Sequence, residues 1–332
     1  MKKIMTLIAV LASILVSALL PAPAAEADQE LSIVTTIFPE YDWVMEILGD
    51  NPANASVTML LDSGVDLHSY QPNVKDMVTL SNCDLFLYVG GESDGWVKDA
   101  LAGAANEDMI VINLLEVLGE NAKEELLVEG MEAHDHGDEE DHEDEEHDSH
   151  AEHGELDEHV WLSLRNASFF CQVIRDALIA LDGENEAVYQ ANTEAYLEKL
   201  AQLDDAYTEA AAQGSRDTLV FGDRFPFRYL MDDYGLTYYA AFSGCSAETE
   251  ASFETVIFLA NKLDELGLRT IMTLEGSDGK LAKTIADTAK AQDVAILCLD
   301  SMQSTTQKDV QEGASYLSIM EKNLDVLIRA LA

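Results

Sequence analysis

Eight short apolar runs, four on each side of one long amphipathic stretch, restrict this chain to a narrow set of architectures. Leu31–Ile37, Ala55–Leu61, Asp84–Val89 and Met109–Leu114 precede the stretch, and Thr218–Phe221, Thr237–Phe242, Thr270–Leu274 and Val294–Leu299 follow it. Each has strand length and is rich in β-branched and aliphatic residues, and helical patterns lie between them. The stretch itself, from about Glu184 to Gly214, carries Tyr189, Tyr196, Leu200, Leu203 and Tyr207. Their spacing places them on one stripe of a helix. Some 30 residues at 1.5 Å rise give ~45 Å, enough to cross two lobes. Strands alternating with helices pair in parallel through right-handed crossovers. The expected fold is therefore α/β, with two lobes joined by one long rigid helix. Each lobe is a mainly parallel four-stranded sheet with helices on both faces. The boundaries expected are 28–183 for the N-terminal lobe, 184–214 for the linking helix and 215–332 for the C-terminal lobe. In such open sheets ligands gather beyond the carboxyl ends of the strands.

The chain begins Met1-Lys2-Lys3, continues as an apolar run from Ile4 to Leu20, and leaves it through Pro21-Ala22-Pro23-Ala24-Ala25-Glu26-Ala27. A positive start, an apolar middle and a small-residue exit predict a secretory signal peptide over residues 1–27, cleaved after Ala24 or Ala27. A retained anchor is the alternative reading. The protein is then expected in the periplasm or at the extracytoplasmic cell surface.

Histidine is distributed very unevenly. The chain has eight, and His134, His136, His142, His147, His150, His153 and His159 fall in one acidic stretch. The remaining one, His68, lies in Asp66-Leu-His68-Ser-Tyr-Gln-Pro72, just beyond the second apolar run. Imidazoles interleaved with carboxylates suit divalent transition metals, zinc above all. The same stretch reads as a solvated, disordered loop over about 130–156, and the two readings are compatible. Residues 132–158 hold fifteen acids and no Lys or Arg, yet the formal charge of −44 leaves −29 for the rest of the chain. So acidic a protein is not expected to bind nucleic acid or an anionic membrane surface. Cys83, Cys171, Cys245 and Cys298 match no disulfide framework or CxxC spacing, and their apolar neighbours predict buried thiols.

These pieces, in this order, resemble a known family: the metal-binding solute-binding proteins of zinc and manganese ABC importers, and within it the zinc-specific branch. The anchors are Asp66-Leu-His68-Ser-Tyr-Gln-Pro72, the His-rich acidic insertion, Asp157-Glu-His159-Val-Trp-Leu162 and the linking helix. Tyr234-Gly-Leu236, Leu281-Ala-Lys-Thr-Ile285 and Tyr316-Leu-Ser-Ile-Met-Glu-Lys-Asn-Leu324 complete them. The resemblance implies Zn2+ carried as transported ligand between the two lobes, an ABC-type membrane permease as partner, and a monomer without catalytic residues. It implies ligands from four loops, with His68 and His159 from the N-terminal lobe and Asp300 from the C-terminal lobe. The remaining family position falls on Arg224, and a guanidinium has no lone pair for a metal. Glu275, Asp223 and Cys245 are the possible substitutes. Arg224 is expected to stand behind the ligands and orient an acid of the C-terminal lobe, Asp300 first. The six histidines from His134 to His153 are expected to be auxiliary metal ligands.

Three alternatives stand against this expectation. Mn2+ or Fe2+ would favour more carboxylate than a histidine-rich chain offers. A catalytic zinc with Glu275 as general base would need a motif such as HExxH, and the chain has neither that nor a GxSxG elbow. A secreted metal-sequestering protein or adhesin would dispense with a permease.

Overall fold

The computed structural model describes residues 30–132, 155–246 and 251–332. The expected signal peptide and the six histidines from His134 to His153 lie outside the described residues.

The first half contains β1 (Ser32–Thr35), α1 (Phe38–Leu48), β2 (Ser56–Met59), α2 (Val74–Ser81), β3 (Leu85–Tyr88), α3 (Val97–Ala102), β4 (Ile110–Asn113), α4 (Leu114–Leu118) and α5 (Leu164–Leu181). Its four strands pair in parallel in the order β2-β1-β3-β4. After α6 (Glu186–Gln213), the second half contains β5 (Thr218–Phe225), α7 (Arg228–Tyr234), β6 (Thr237–Ser243), α8 (Phe253–Leu266), β7 (Thr270–Leu274), α9 (Lys280–Thr288), β8 (Ala295–Leu299), α10 (Gln307–Gln311) and α11 (Tyr316–Ala330). Its strands run parallel in the order β6-β5-β7-β8, the same winding as the first sheet. Central strands covered by helices on both faces must be apolar on both. Leu85, Phe86 and Leu87 in β3 are accordingly all fully buried.

The stripe on α6 is buried as its spacing requires: Tyr189, Tyr196, Leu200, Leu203 and Tyr207 all face inward, with Thr193 among them. Asn192 Nδ2 donates to the Ile47 carbonyl of α1 at 3.0 Å, and Tyr207 Oη donates to the Met320 carbonyl of α11 at 2.7 Å. One helix is thus bonded to helices of both halves, and a stiff span held at both ends fixes their spacing. The last helix returns to the first half. Tyr316 donates its backbone N–H to Asp42 and its hydroxyl to the Trp161 carbonyl, and its ring meets Trp43 edge-on at 5.3 Å. The principal core is therefore continuous across both halves, from Leu31 to Leu331. A smaller core, including Val220, Leu259, Leu263 and Ile271, lies within the second half.

The thiols divide. Cys83 and Cys171 are buried as expected, Cys245 is half-buried, and Cys298 is exposed, contrary to expectation. Cys298 sits on β8, the edge strand of its sheet, where Ile296 is 43% exposed as well. An apolar sequence at an edge leaves one face uncovered, which the sequence alone does not reveal.

The loops after β2, β3, β6, β7 and β8 carry His68, Ser93, Cys245, Glu275 and Gln303, and β5 itself carries Asp223 and Arg224 just before its end. All emerge at the carboxyl ends of parallel strands, where side chains from both sheets meet.

Candidate metal centre

His68 is set by a single turn of 3-10 helix, Leu67–Ser69, capped by Asp66, whose Oδ1 accepts the His68 N–H at 3.0 Å. His159 is fully buried, and its N–H donates to Asp157 Oδ1 at 2.9 Å. Each imidazole is oriented from behind. His159 Nδ1 lies 3.0 Å from the same Asp157 Oδ1, and an ionised carboxylate only accepts, so Nδ1 carries the proton. His68 Nδ1 lies 2.7 Å from Ser93 Oγ, and that hydroxyl donates to Glu158 Oε2 at 2.5 Å. With its hydrogen spent on Glu158, Ser93 accepts from His68 Nδ1–H. In both neutral rings the lone pair is thereby left on Nε2, and the two Nε2 atoms face each other at 3.1 Å. Carboxylates behind metal-facing histidines fix the tautomer and raise ring basicity.

Close approach demands glycine twice. A Cβ on Gly244 would lie 2.6 Å from His159 Cε1, so any larger residue would push the ring aside. Gly91, at φ +79°, leaves room for the Glu158 carboxyl and takes a left-handed conformation that side chains disfavour. Burial pushes the Glu158 pKa up, while hydrogen bonds from Ser93 pull it back in part.

The third group facing the histidines is Gln303. Its Nε2 lies 3.0 Å from His68 Nε2 and 2.9 Å from His159 Nε2. The three nitrogens form a nearly equilateral triangle. Ligands around tetrahedral zinc, bound at about 2.0–2.1 Å, stand roughly 3.3 Å apart, so the triangle is close to the edge length of a zinc site. The Cys245 sulfur completes the cluster: it and one nitrogen of each histidine all lie within 4.8 Å of one another. Burial, with the acids Glu158, Glu125 and Asp157 nearby, keeps that thiol protonated well above its usual range.

The acids of the second half stand behind this cluster rather than in it. Among the described residues, the metal-ligating types that gather this closely are His68, His159 and Cys245, without Asp300, Glu275 or Asp223. Asp300 Oδ1 accepts the Met302 N–H at 2.8 Å, which holds Met302 in a left-handed conformation at φ +62°. Glu275 accepts from the Ser301 N–H at 2.7 Å, the Ser301 hydroxyl at 2.7 Å and the Gln303 N–H at 3.2 Å. Burial first, and then the negative charge of Asp300, raise the Glu275 pKa to about 7. The two acids fold the 300–303 turn so that Gln303 points at the histidines. Asp223 closes on the backbone of Arg224 and of Leu274.

Arg224 departs from expectation in its partner. It bonds Asp66 of the first half, Nη2 to Oδ2 at 2.7 Å, instead of Asp300. A bulge between Phe221 and Arg224 lets β5 continue past its register break and aims this side chain across the cleft. Burial works to raise the Asp66 pKa, but the charge and hydrogen bond of Arg224 and the contacts with His68 outweigh it, so the carboxyl stays below its ordinary range. Sequence reasoning pointed to Asp300 in the loop after β8 and did not name Gln303, which lies three residues further on and faces the histidines.

The chain matches the family model described as zinc-uptake complex component A, periplasmic, over residues 33–330. The zinc-binding lipoprotein AdcA of Streptococcus pneumoniae strain R6 is 31% identical over 98% of this chain, which spans 60% of that relative's length. The high-affinity zinc uptake system protein ZnuA of Bacillus subtilis is 28% identical over 90% of this chain and 86% of its own. The Zn(II)-bound ZnuA-like domain of Streptococcus pneumoniae AdcA superposes with a TM-score of 0.69 at 28% identity, covering 91% of this chain and 99% of that domain. With the fold, the paired histidines and this match over nearly the whole described length in hand, the chain belongs to the periplasmic zinc-uptake component A family.

Proposed function

We propose that the protein is the extracytoplasmic substrate-binding component of a zinc ABC importer, which captures Zn2+ in the interlobe cleft and delivers it to a membrane permease. The observation that carries this reading is the convergence of two imidazole lone pairs at 3.1 Å, each fixed by an acid behind its ring. Two acceptors facing each other repel unless a donor or a cation lies between them. A divalent cation answers that arrangement, because neutral imidazole nitrogen is a preferred zinc donor.

In this reading His68 and His159 bind zinc through Nε2. Cys245 lies close enough to join them once zinc replaces its proton, and Gln303 offers a neutral amide oxygen. Asp300 and Glu275 shape the turn that carries Gln303, and their charge lowers the energy of a cation nearby. Nitrogen and sulfur around the site favour zinc over manganese, which takes more carboxylate oxygen. In this reading the site holds and releases its cargo unchanged. The histidines from His134 to His153 would add weaker cation sites.

The relatives that support this reading are named as zinc-binding or zinc-uptake proteins. The test is a zinc-soaked crystal with anomalous diffraction recorded above and below the zinc edge, together with a competition titration against manganese. Anomalous density bonded to both Nε2 atoms, with manganese bound far more weakly, is the expected result. Density bonded to neither histidine would reject the site.

A further inference from the structure

We propose that Gln303 is a hydrogen-bonded stand-in for the cation: when zinc is absent, its amide clamps both histidines and holds the cleft closed, so zinc enters only by displacing it. The inference rests on the zinc-binding reading of the cleft.

The argument begins with protons. Asp157 and the Ser93–Glu158 relay place a hydrogen on each Nδ1, so both Nε2 atoms are acceptors. A carboxamide NH2 has two hydrogens, and Gln303 Nε2 is within 3.0 Å of both acceptors. The opposite orientation of the amide is disfavoured because it would turn Oε1 onto the two imidazole lone pairs. One side chain therefore satisfies both imidazoles, as a zinc ion would.

The contact also crosses the molecule. His68 and His159 belong to the first half, and Gln303 follows the last strand of the second. Its turn is braced by Glu275 and Asp300, so the amide is presented on a fixed support. Trp161, two residues after His159, donates Nε1–H to the Ser301 carbonyl at 2.9 Å and ties the same two segments together. An amide nitrogen is conjugated and has no lone pair for a metal. Zinc therefore cannot share the histidines with Gln303 in this orientation; the side chain must swing away or turn its oxygen inward. Closure and cation entry then compete, and Gln303 sets the balance.

The experiment compares the full wild-type chain with Gln303→Met and Gln303→Ala at pH 8, zinc-free and zinc-loaded. Methionine keeps the length of the side chain and cannot donate. In zinc-free wild type labelled with 15N in glutamine and histidine, the Gln303 amide nitrogen should show coupling across the hydrogen bonds to both imidazole Nε2 atoms, lost on adding zinc. Small-angle scattering of the wild type should change little on zinc loading, whereas both variants should be expanded without zinc and compact with it. Zinc should associate about tenfold faster with the variants, the effect of two lost hydrogen bonds of ordinary strength. Absence of amide–imidazole coupling in the wild type overturns the proposal, and that measurement needs no variant to fold. Variants that scatter and associate like the wild type overturn it as well. If zinc binds away from His68 and His159, the transport reading fails, while the coupling still reports whether the clamp exists.

Discussion

Arg224 and Asp66 join the two halves of the molecule by an ion pair at 2.7 Å, on the rim of the histidine cluster. Asp66 uses its other oxygen to accept the His68 N–H. One carboxylate thus links a cation of the second half to the backbone that carries a histidine of the first. The pair is about three-quarters buried, at 23% and 25% side-chain exposure. Its coupling should lie at the top of the range of surface pairs, ~1 kcal/mol. Urea unfolding of Arg224→Ala, Asp66→Asn and the double variant measures it. Strictly additive effects would show that the pair contributes nothing.

Burial dictates the pH response of the first half. Glu40, fully buried on α1, accepts the Thr36 and Ile37 backbone N–H groups, and its pKa is pushed up to about 8 by burial and then by Asp94. The folded chain holds this proton where the unfolded chain, near 4.5, has released it. Folding therefore takes up a proton between those values, and stability falls as pH rises from about 4.5 to about 8. Glu40→Gln keeps an acceptor oxygen and removes the titration. Melting temperatures of the zinc-free protein from pH 5 to pH 8 should fall more steeply in the wild type than in the variant. Parallel curves would contradict this.

Removing residues 133–155 should leave the fold and the tightest zinc site intact. Its only apolar side chains are Ala133 and Ala151, so it carries no periodic apolar pattern that could serve a core. Additional, weaker zinc equivalents should disappear, as isothermal titration would record. Loss of the tight site with unchanged circular dichroism would place the principal site in the loop.

Much of the architecture was legible because burial leaves a periodic trace. The stripe from Tyr189 to Tyr207 marked the linking helix, and eight apolar runs marked eight strands. His68 and His159 stood out because histidine is scarce elsewhere in the chain. What remained hidden depends on direction in space. Cys298 reads as a core thiol until the sheet order makes β8 an edge. Asp300 stands out in the sequence, whereas the turn it braces through the Met302 N–H aims Gln303 at the histidines, a direction no local pattern encodes. Arg224 finds its partner across the cleft, 158 residues away in sequence, and no local pattern encodes that pairing.

The central claim is that the facing Nε2 atoms of His68 and His159 form the zinc site. Zinc titration against a competing chelator at pH 7.5, on the wild type, His68→Ala and His159→Ala, tests it most directly. Each substitution removes one nitrogen ligand, and no other histidine among the described residues can replace it. Each should weaken the tightest site at least tenfold, or about 1.4 kcal/mol. Wild-type affinity retained in both variants would contradict the account.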